Sequence, residues 1–564
     1  MDGLTGIKTA PEGAERGSIA RRVLKSFLSS WMGPSRSSSS LSVQFLICLL
    51  IICGATAFVG VVPTRIFGHD DFFLLDNGWR IVCGQRPHLD FCSPWGPVMF
   101  LVVGMGLALS NASANGIGYG NAIVGLMIGL WAFWLSRGRL ASTPRFILGI
   151  YLTLLVTAPY SLGPWPLLSS HAMLYNRYGY ALLGLVLVEC FQREEGEEQD
   201  TGEILGGIST GVIVAIALFL KASYFAISLP LVAASFLFRQ QSFKRFIGLA
   251  LGFCIVFFAM LAYLRFDIRT VVEAFWMAAG ARSKALHLAI LPLQLISQMP
   301  TFLTVTAILF FGNHRVKPVG SWLDDHQWLI WALLVFASDS LLMISNALQL
   351  YAMPLLGVFA MLFASRLTAE RQRLPVAEAR TELSRHIFVL VLCALLVVPQ
   401  LALDIVGLAN GVFQKAHPST SIGLVRFTEP HLASLLLYDG DHKESNNGSV
   451  YTNYVNDGVT LLRKHCDAND RVLTMDMVNP FPYALKWKPP KGGVAAISFN
   501  YTLSAHFRPS FDAYFGDATV VLLPKRPAQS PWFIDGFYTL YTPALLERYQ
   551  LHAESDWFWL YKRK

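Results

Sequence analysis

Asp70 and Asp71 stand side by side in the stretch GHDDFFLLDNGWRIVCGQRPHLDFCSPWGP (Gly68–Pro97), which also carries Asp76 and Asp90. Carboxylates gathered this way can take a proton from an attacking hydroxyl or amine, or hold a divalent cation. Adjacent carboxylates point in different directions on any backbone, so one can face a cavity while the other caps a helix or pairs with an arginine. The structural alternative is that Asp70 is an N-cap and the remaining acids are solvated loop residues. Two elements must position these acids. Phe72, Leu75, Trp79 and Val82 recur at helical spacing, with Asp76, Arg80 and Gly84 on other faces. This predicts an amphipathic helix lying in the membrane interface, ended near Gly84 with Pro87 beyond it. HLDFCSPWGP (His88–Pro97) then turns the chain back towards the bilayer.

The bilayer itself is read from composition. The 564 residues are 54% hydrophobic and only 15% charged, which excludes an ordinary soluble multidomain protein. Apolar runs near 42–63, 146–163, 174–192, 204–221, 223–238, 246–264, 286–312, 327–346, 349–366 and 386–407 suit transmembrane helices. The stretch 95–135, split by SNASANGIGYGN (Ser110–Asn121), reads as two helices or as one helix plus a re-entrant or interfacial one.

The net charge of +8 sets orientation and is no nucleic-acid signal. Arg16, Arg21, Arg22, Lys25 and Arg36 place the N-terminus in the cytoplasm as the tail of a signal anchor. The basic loops 136–145, 238–245, 313–317 and 365–385 share that side only if 95–135 crosses an odd number of times, giving roughly eleven crossings. The fold class expected is therefore a polytopic α-helical membrane protein with a small C-terminal extracytoplasmic α/β domain. Its parts are a cytoplasmic tail (1–41), a transmembrane domain (42–408) whose first outer loop spans 64–94, and the α/β domain (409–564), where RVLTMDM, ATVVLLPK and WFWLYKR alternate with helical stretches.

Cysteines are few. Cys83 and Cys92 share the first loop and can pair in an oxidising compartment. Cys48, Cys53, Cys190, Cys254 and Cys393 lie in or beside apolar spans as packing residues, and no Cys/His spacing resembles a zinc site.

The first loop resembles that of GT-C glycosyltransferases, the polytopic enzymes that use lipid-phosphate-linked sugars and include protein O-mannosyltransferases and aminoarabinose transferases. Their acidic pair follows the first helix, and an amphipathic segment leads to G-x-x-P-x-x-D-F and a proline-rich turn. Here these are Asp70-Asp71, GQRPHLDF (Gly84–Phe91) and SPWGP (Ser93–Pro97), with Asp71 where the family has Glu. The resemblance implies a sugar transferred from a polyprenyl-phosphate donor to a lipid, glycan or protein acceptor, with inversion. It makes Asp70 the general base, with Asp71 and Asp90 next as catalytic candidates, and it needs no certain cofactor. Divalent metal binding is an alternative use of the acids, as in oligosaccharyltransferases of the same superfamily. A bacterial inner membrane, with the site on the periplasmic face, is the expected location.

The leaving phosphate needs cations or donors. His69 adjoins the pair. In the second outer loop, His171, Tyr175, Asn176 and Arg177 lie at a loop-to-helix junction. Arg177, a turn inside a span, either snorkels or contacts substrate, pairing with a first-loop acid or the donor phosphate. Arg282 and Lys284 form a basic turn in the third outer loop, which runs against the charge rule; Lys221 is a weaker candidate. SNALQLYAMPLLG (Ser345–Gly357) resembles a family helix that opens on a basic residue, a tyrosine and a proline. Tyr351 and Pro354 match, but Gln349 stands near the place of the cation. Asp339, inside a span, is helix-packing glue or a substrate contact. Two rivals compete with the enzyme: a transporter or flippase using the intramembrane charges, and a non-catalytic scaffold.

Overall fold

The computed structural model of the protein describes residues 39–191, 199–238, 241–281, 284–312, 322–345, 352–373, 375, 382–418, 423–439, 447–528 and 530–564. Arg282, Gln349 and Tyr351 lie outside them, as do the side chain of Lys284 and nearly all of the N-terminal tail.

Among the described residues, six helices are long and apolar enough to cross a membrane: Ser40–Val59, Gly116–Leu135, Glu203–Leu220, Phe243–Tyr263, His326–Ser345 and Leu383–Ala416. A seventh crossing is available if Leu291–Ser297 and Met299–Gly312, bent by 54° at their break, act as one. The run 286–312 is thus a broken helix and no single straight span. Val98–Leu109, Ser142–Thr157 and Ala222–Leu237 are apolar but short, 12, 16 and 16 residues. At 1.5 Å per residue they rise about 18–24 Å, less than the ~30 Å hydrocarbon core. The stretch 95–135 therefore holds one short helix and one of crossing length. The last long helix runs to Ala416, so the expected boundary at 408 falls inside it.

The C-terminal region is an α/β unit. Strands β1 (Leu424–Arg426) and β2 (Leu436–Tyr438) form an antiparallel ribbon. Four further strands, β3 (Val472–Thr474), β4 (Val520–Pro524), β5 (Tyr549–Glu554) and β6 (Phe558–Arg563), make a sheet of order β3-β4-β6-β5. β3 and β4 are parallel and the other pairs antiparallel. β4 is buried along its whole length, as a strand covered on both faces must be. On one face Val472, Val520, Leu522 and Leu560 pack with Val455, Val459 and Leu462 of helix Gly448–His465. On the other, Leu473, Val521 and Leu523 pack with Phe537, Tyr541 and Leu545 of helix Asp535–Arg548. The first of these clusters is continuous with the core of the transmembrane bundle.

The joint between the two is the first loop. Its helix forms as the apolar spacing predicts, Gly68–Val82, and most of its apolar face is covered by protein. Phe72, Phe73, Leu74 and Leu75 are all buried, because helix Val98–Leu109 covers one side and the C-terminal domain another. The first contact is close: a Cβ on Gly78 would stand 2.6 Å from Val103 Cγ1. The second is polar. Asn77 donates to Ala495 O, Trp79 to Trp487 O, Gln85 to Pro489 O, and Arg80 to Pro490 O and Gly492 O. Thr64 exchanges backbone bonds with Leu436 and Tyr438. Cys83 and Cys92 are free thiols, so this staple is made of hydrogen bonds and not of a disulfide.

Candidate active site

Two loop-to-helix junctions carry most of the residues singled out by the sequence, and they are built alike. Phe67, with φ 59°, precedes helix Gly68–Val82, and Met173, with φ 56°, precedes helix Leu174–Glu189. Neither is glycine, and left-handed backbone at such residues is a local cost that surrounding structure must hold in place. In each case the carbonyl of that residue accepts from the amide three positions on, Asp70 N and Asn176 N.

At the first junction Asp70 and Asp71 occupy the first turn of the helix, where its N-terminal dipole favours negative charge. Asp70 caps no helix; its side chain is 14% exposed, and Oδ1 lies 3.7 Å from His69 Nε2. Asp71 is fully buried, and its Oδ2 accepts a 2.6 Å bond from the Thr64 hydroxyl. Its Oδ1 has no partner. Burial dominates the electrostatics, disfavouring the charged form of every group. It pushes the Asp70 carboxyl up to about 7. Asp71 is pushed up to about 8, burial outweighing the Thr64 bond, and the neighbouring Asp70 charge adds to the rise. Burial also lowers His69 to about 4, so its imidazole is neutral near pH 7 and its approach to Asp70 is no ion pair. Among the described residues, no three His, Cys, Asp or Glu side chains gather as metal ligands.

Asp90 is placed elsewhere. Its Oδ2 accepts from Arg86 N, closing the turn, and its Oδ1 meets Lys491 Nζ at 3.0 Å. It helps dock the loop on the C-terminal domain and stands apart from the acidic pair in role. Asp76 is bound to Arg80 at 3.2 Å in the same docking surface.

The second junction separates its residues. His171 Nε2 accepts from Val62 N, tying this loop to the segment before the acids. Burial, with the charges of Arg177 and Lys415, lowers the imidazole to about 3. Arg177 neither snorkels nor meets a first-loop acid. It is buried, donates to Tyr160 O and Leu155 O, stacks over the Tyr160 ring at 4.2 Å, and bonds Asp404 Oδ1 at 3.1 Å. Asp404 in turn accepts from Tyr160 and Gln400. Tyr175 and Asn176 point to a different cation: Lys221 Nζ lies 4.8 Å from the Tyr175 ring centre and 3.5 Å from Asn176 Oδ1. Lys221 breaks the chain between helices Gln199–Leu220 and Ala222–Leu237, beside the first-loop turn, where Gly96 N donates to Leu220 O. Asp339 accepts from Leu355 N and Leu356 N, so it secures the start of helix Pro354–Gln372 and is helix-packing glue.

Sequence reasoning passed over several of these partners. A lone acid in an apolar run, as at Asp404, is a usable signal. Arg65, exposed and stacked on the Tyr438 ring at 4.1 Å, carries none beyond its place five residues before Asp70.

The fold and site define a polytopic α-helical membrane protein whose first loop presents one buried and one partly buried carboxyl beside a C-terminal α/β domain. The chain is similar in its course to ArnT from Cupriavidus metallidurans. The crystal structure bound to undecaprenyl phosphate aligns over 93% of this chain and 98% of that one, at 10% identity and a TM-score of 0.43. The apo structure aligns over 92% and 98%, at 10% identity and 0.45. No family model and no curated protein matches the chain.

Proposed function

We propose that the protein is a GT-C-type membrane glycosyltransferase that moves a sugar from a polyprenyl-phosphate donor to a lipid, glycan or protein acceptor. The observation that carries this reading is the Asp70–Asp71 pair, held in the first turn of a loop helix with carboxyls poised near neutral pH. A base works best when its pKa lies near the operating pH. Asp70, the more accessible of the two, takes the acceptor's proton as the acceptor atom bonds to the anomeric carbon. The bond from that carbon to the phosphate oxygen breaks, and the lipid phosphate leaves with the electron pair. One displacement assisted by one base inverts the anomeric centre. Asp71 stands beside it in the same helical turn, held by the Thr64 hydroxyl.

The departing phosphate is met by Arg65 at the solvent edge and Lys221 behind the Trp95 turn, since Arg177 is committed to Asp404. The basic residues before the first span and the basic loops 136–145, 238–245, 313–317 and 365–385 support an extracytoplasmic site. A transport path would need mobile intramembrane charges; the neutralised Arg177–Asp404 pair favours the enzyme instead.

The test is sugar transfer and donor binding by Asp70→Asn and Asp71→Asn variants of the full-length protein. Donor binding retained with transfer collapsed is the expected result. Normal transfer by both variants sinks the reading.

A further inference from the structure

The acidic pair has a neighbour from the far end of the chain. Helix Gly448–His465 opens with Asn447 accepting from Ser449 N and Val450 N, which fixes its first turn. That turn sets Tyr451 against the first loop, its ring centre 6.5 Å from His69 and 5.8 Å from Phe72. Behind it, the Tyr454 ring stacks at 5.7 Å and is itself held by a 2.8 Å bond from its hydroxyl to Asp476. Tyr451 is thus gripped by rings on three sides. Its hydroxyl is buried, feels the charges of Asp476, Asp71 and Asp70, and has no hydrogen-bond partner. Two further buried atoms in this neighbourhood lack partners as well, Asp71 Oδ1 and His69 Nδ1. A buried polar atom left unpaired is costly. Three together, from two regions of the chain, mark a place meant for a guest that both donates and accepts.

We infer that Tyr451 is a substrate-positioning residue, through which the C-terminal domain supplies a hydroxyl to the sugar ring of the donor. Vicinal sugar hydroxyls are donors and acceptors at once, which is what a phenol O–H, a carboxyl oxygen and an imidazole nitrogen together require. The inference rests on the glycosyltransferase reading and deepens it, because it predicts a part of the donor that the lipid phosphate alone does not reach.

The experiment compares binding of bare undecaprenyl phosphate with binding of its glucose, mannose and aminoarabinose conjugates, using the full-length protein in detergent or nanodiscs. Wild type is expected to hold at least one conjugate more tightly than the bare lipid. Tyr451→Phe keeps the ring and its packing; it is expected to lose about 5–30-fold on that conjugate and nothing on the bare lipid. A wild type without preference means the atoms hold only ordered water, and overturns the inference. So does a preference that survives in Tyr451→Phe, or an equal loss on both lipids. Failure of wild type to bind any of these lipids is a different outcome: it overturns the glycosyltransferase reading, and this inference with it.

Discussion

Asp404 and Asp71 are both 0% exposed, one inside the helical bundle and the other at its polar edge, and the fold treats them in opposite ways. Asp404 receives a guanidinium, a phenol and an amide, and both of its oxygens are engaged. Asp71 receives one hydroxyl, keeps one oxygen unpaired, and has no cationic partner among the described residues. A buried charge that is fully partnered belongs to the architecture, whereas a buried carboxyl left half-satisfied is a burden that the fold carries for another purpose. The contrast also reassigns Arg177. Its sequence position left it between snorkelling and a substrate contact, and its surroundings make it half of an internal pair.

The most forceful way to break this comparison is kinetic. Asp70→Asn is expected to lower sugar transfer by about 10²–10⁴-fold with the protein still folded, while conservative changes around Asp404 act on stability first. A transfer rate that follows the fraction folded for both acids would erase the distinction. Next comes the pair itself. Arg177→Ala leaves Asp404 buried without its cation, and is expected to destabilise by about 3–5 kcal/mol. The double change Arg177→Met with Asp404→Leu is expected to recover most of that in thermal unfolding. An Arg177→Ala protein as stable as wild type would show that the pair is no structural element.

Asp71 makes the reverse prediction. Its folded carboxyl, at about 8, lies above the ordinary carboxylate value of 3.8, and that of Asp70, at about 7, does too. Between those values the folded state binds more protons than the unfolded one, so these groups make stability fall as pH rises from about 4 to about 8. Asp71→Asn is expected to flatten that slope and to gain about 1 kcal/mol at pH 8, while transfer is lost. Transfer by the wild type is expected to rise over the upper part of the same window as Asp70 becomes a competent base. A steeper slope in Asp71→Asn would reject the assignment. The smallest effect belongs to the rim. Lys491, 65% exposed, pairs with Asp90, and Lys491→Ala is expected to cost less than about 1 kcal/mol and to leave transfer unchanged.

What could be read in advance follows the range of the physics. The first-loop helix was legible because Phe72, Leu75, Trp79 and Val82 mark an apolar face by local spacing alone. The substance covering that face was not legible. Lipid and a protein domain both select apolar residues, and the covering residues 477–495 come hundreds of positions later in the chain. For the same reason Arg177 could be recognised as costly, while its partner Asp404, 227 positions away, could not be chosen among the acids. Asp90 matched a motif, yet its carboxylate closes a turn and meets Lys491, a role set by a domain that the motif does not describe. Hydropathy says least about which apolar runs are long enough to cross, because it counts apolar residues without measuring helix length, as at Val98–Leu109. Tyr451 had no local signature, being one aromatic among many in an amphipathic helix.

The hydrogen-bonded seam between the first loop and the C-terminal domain also bears on how the protein is made. Asn77 and its acceptor Ala495 are 418 residues apart. At about 5–20 residues per second, the loop is translated roughly 20–80 s before the segment that secures it. During that interval the acidic pair is without its cover. The seam can therefore close only after Ala495 has been made, so the first loop completes its packing late in synthesis.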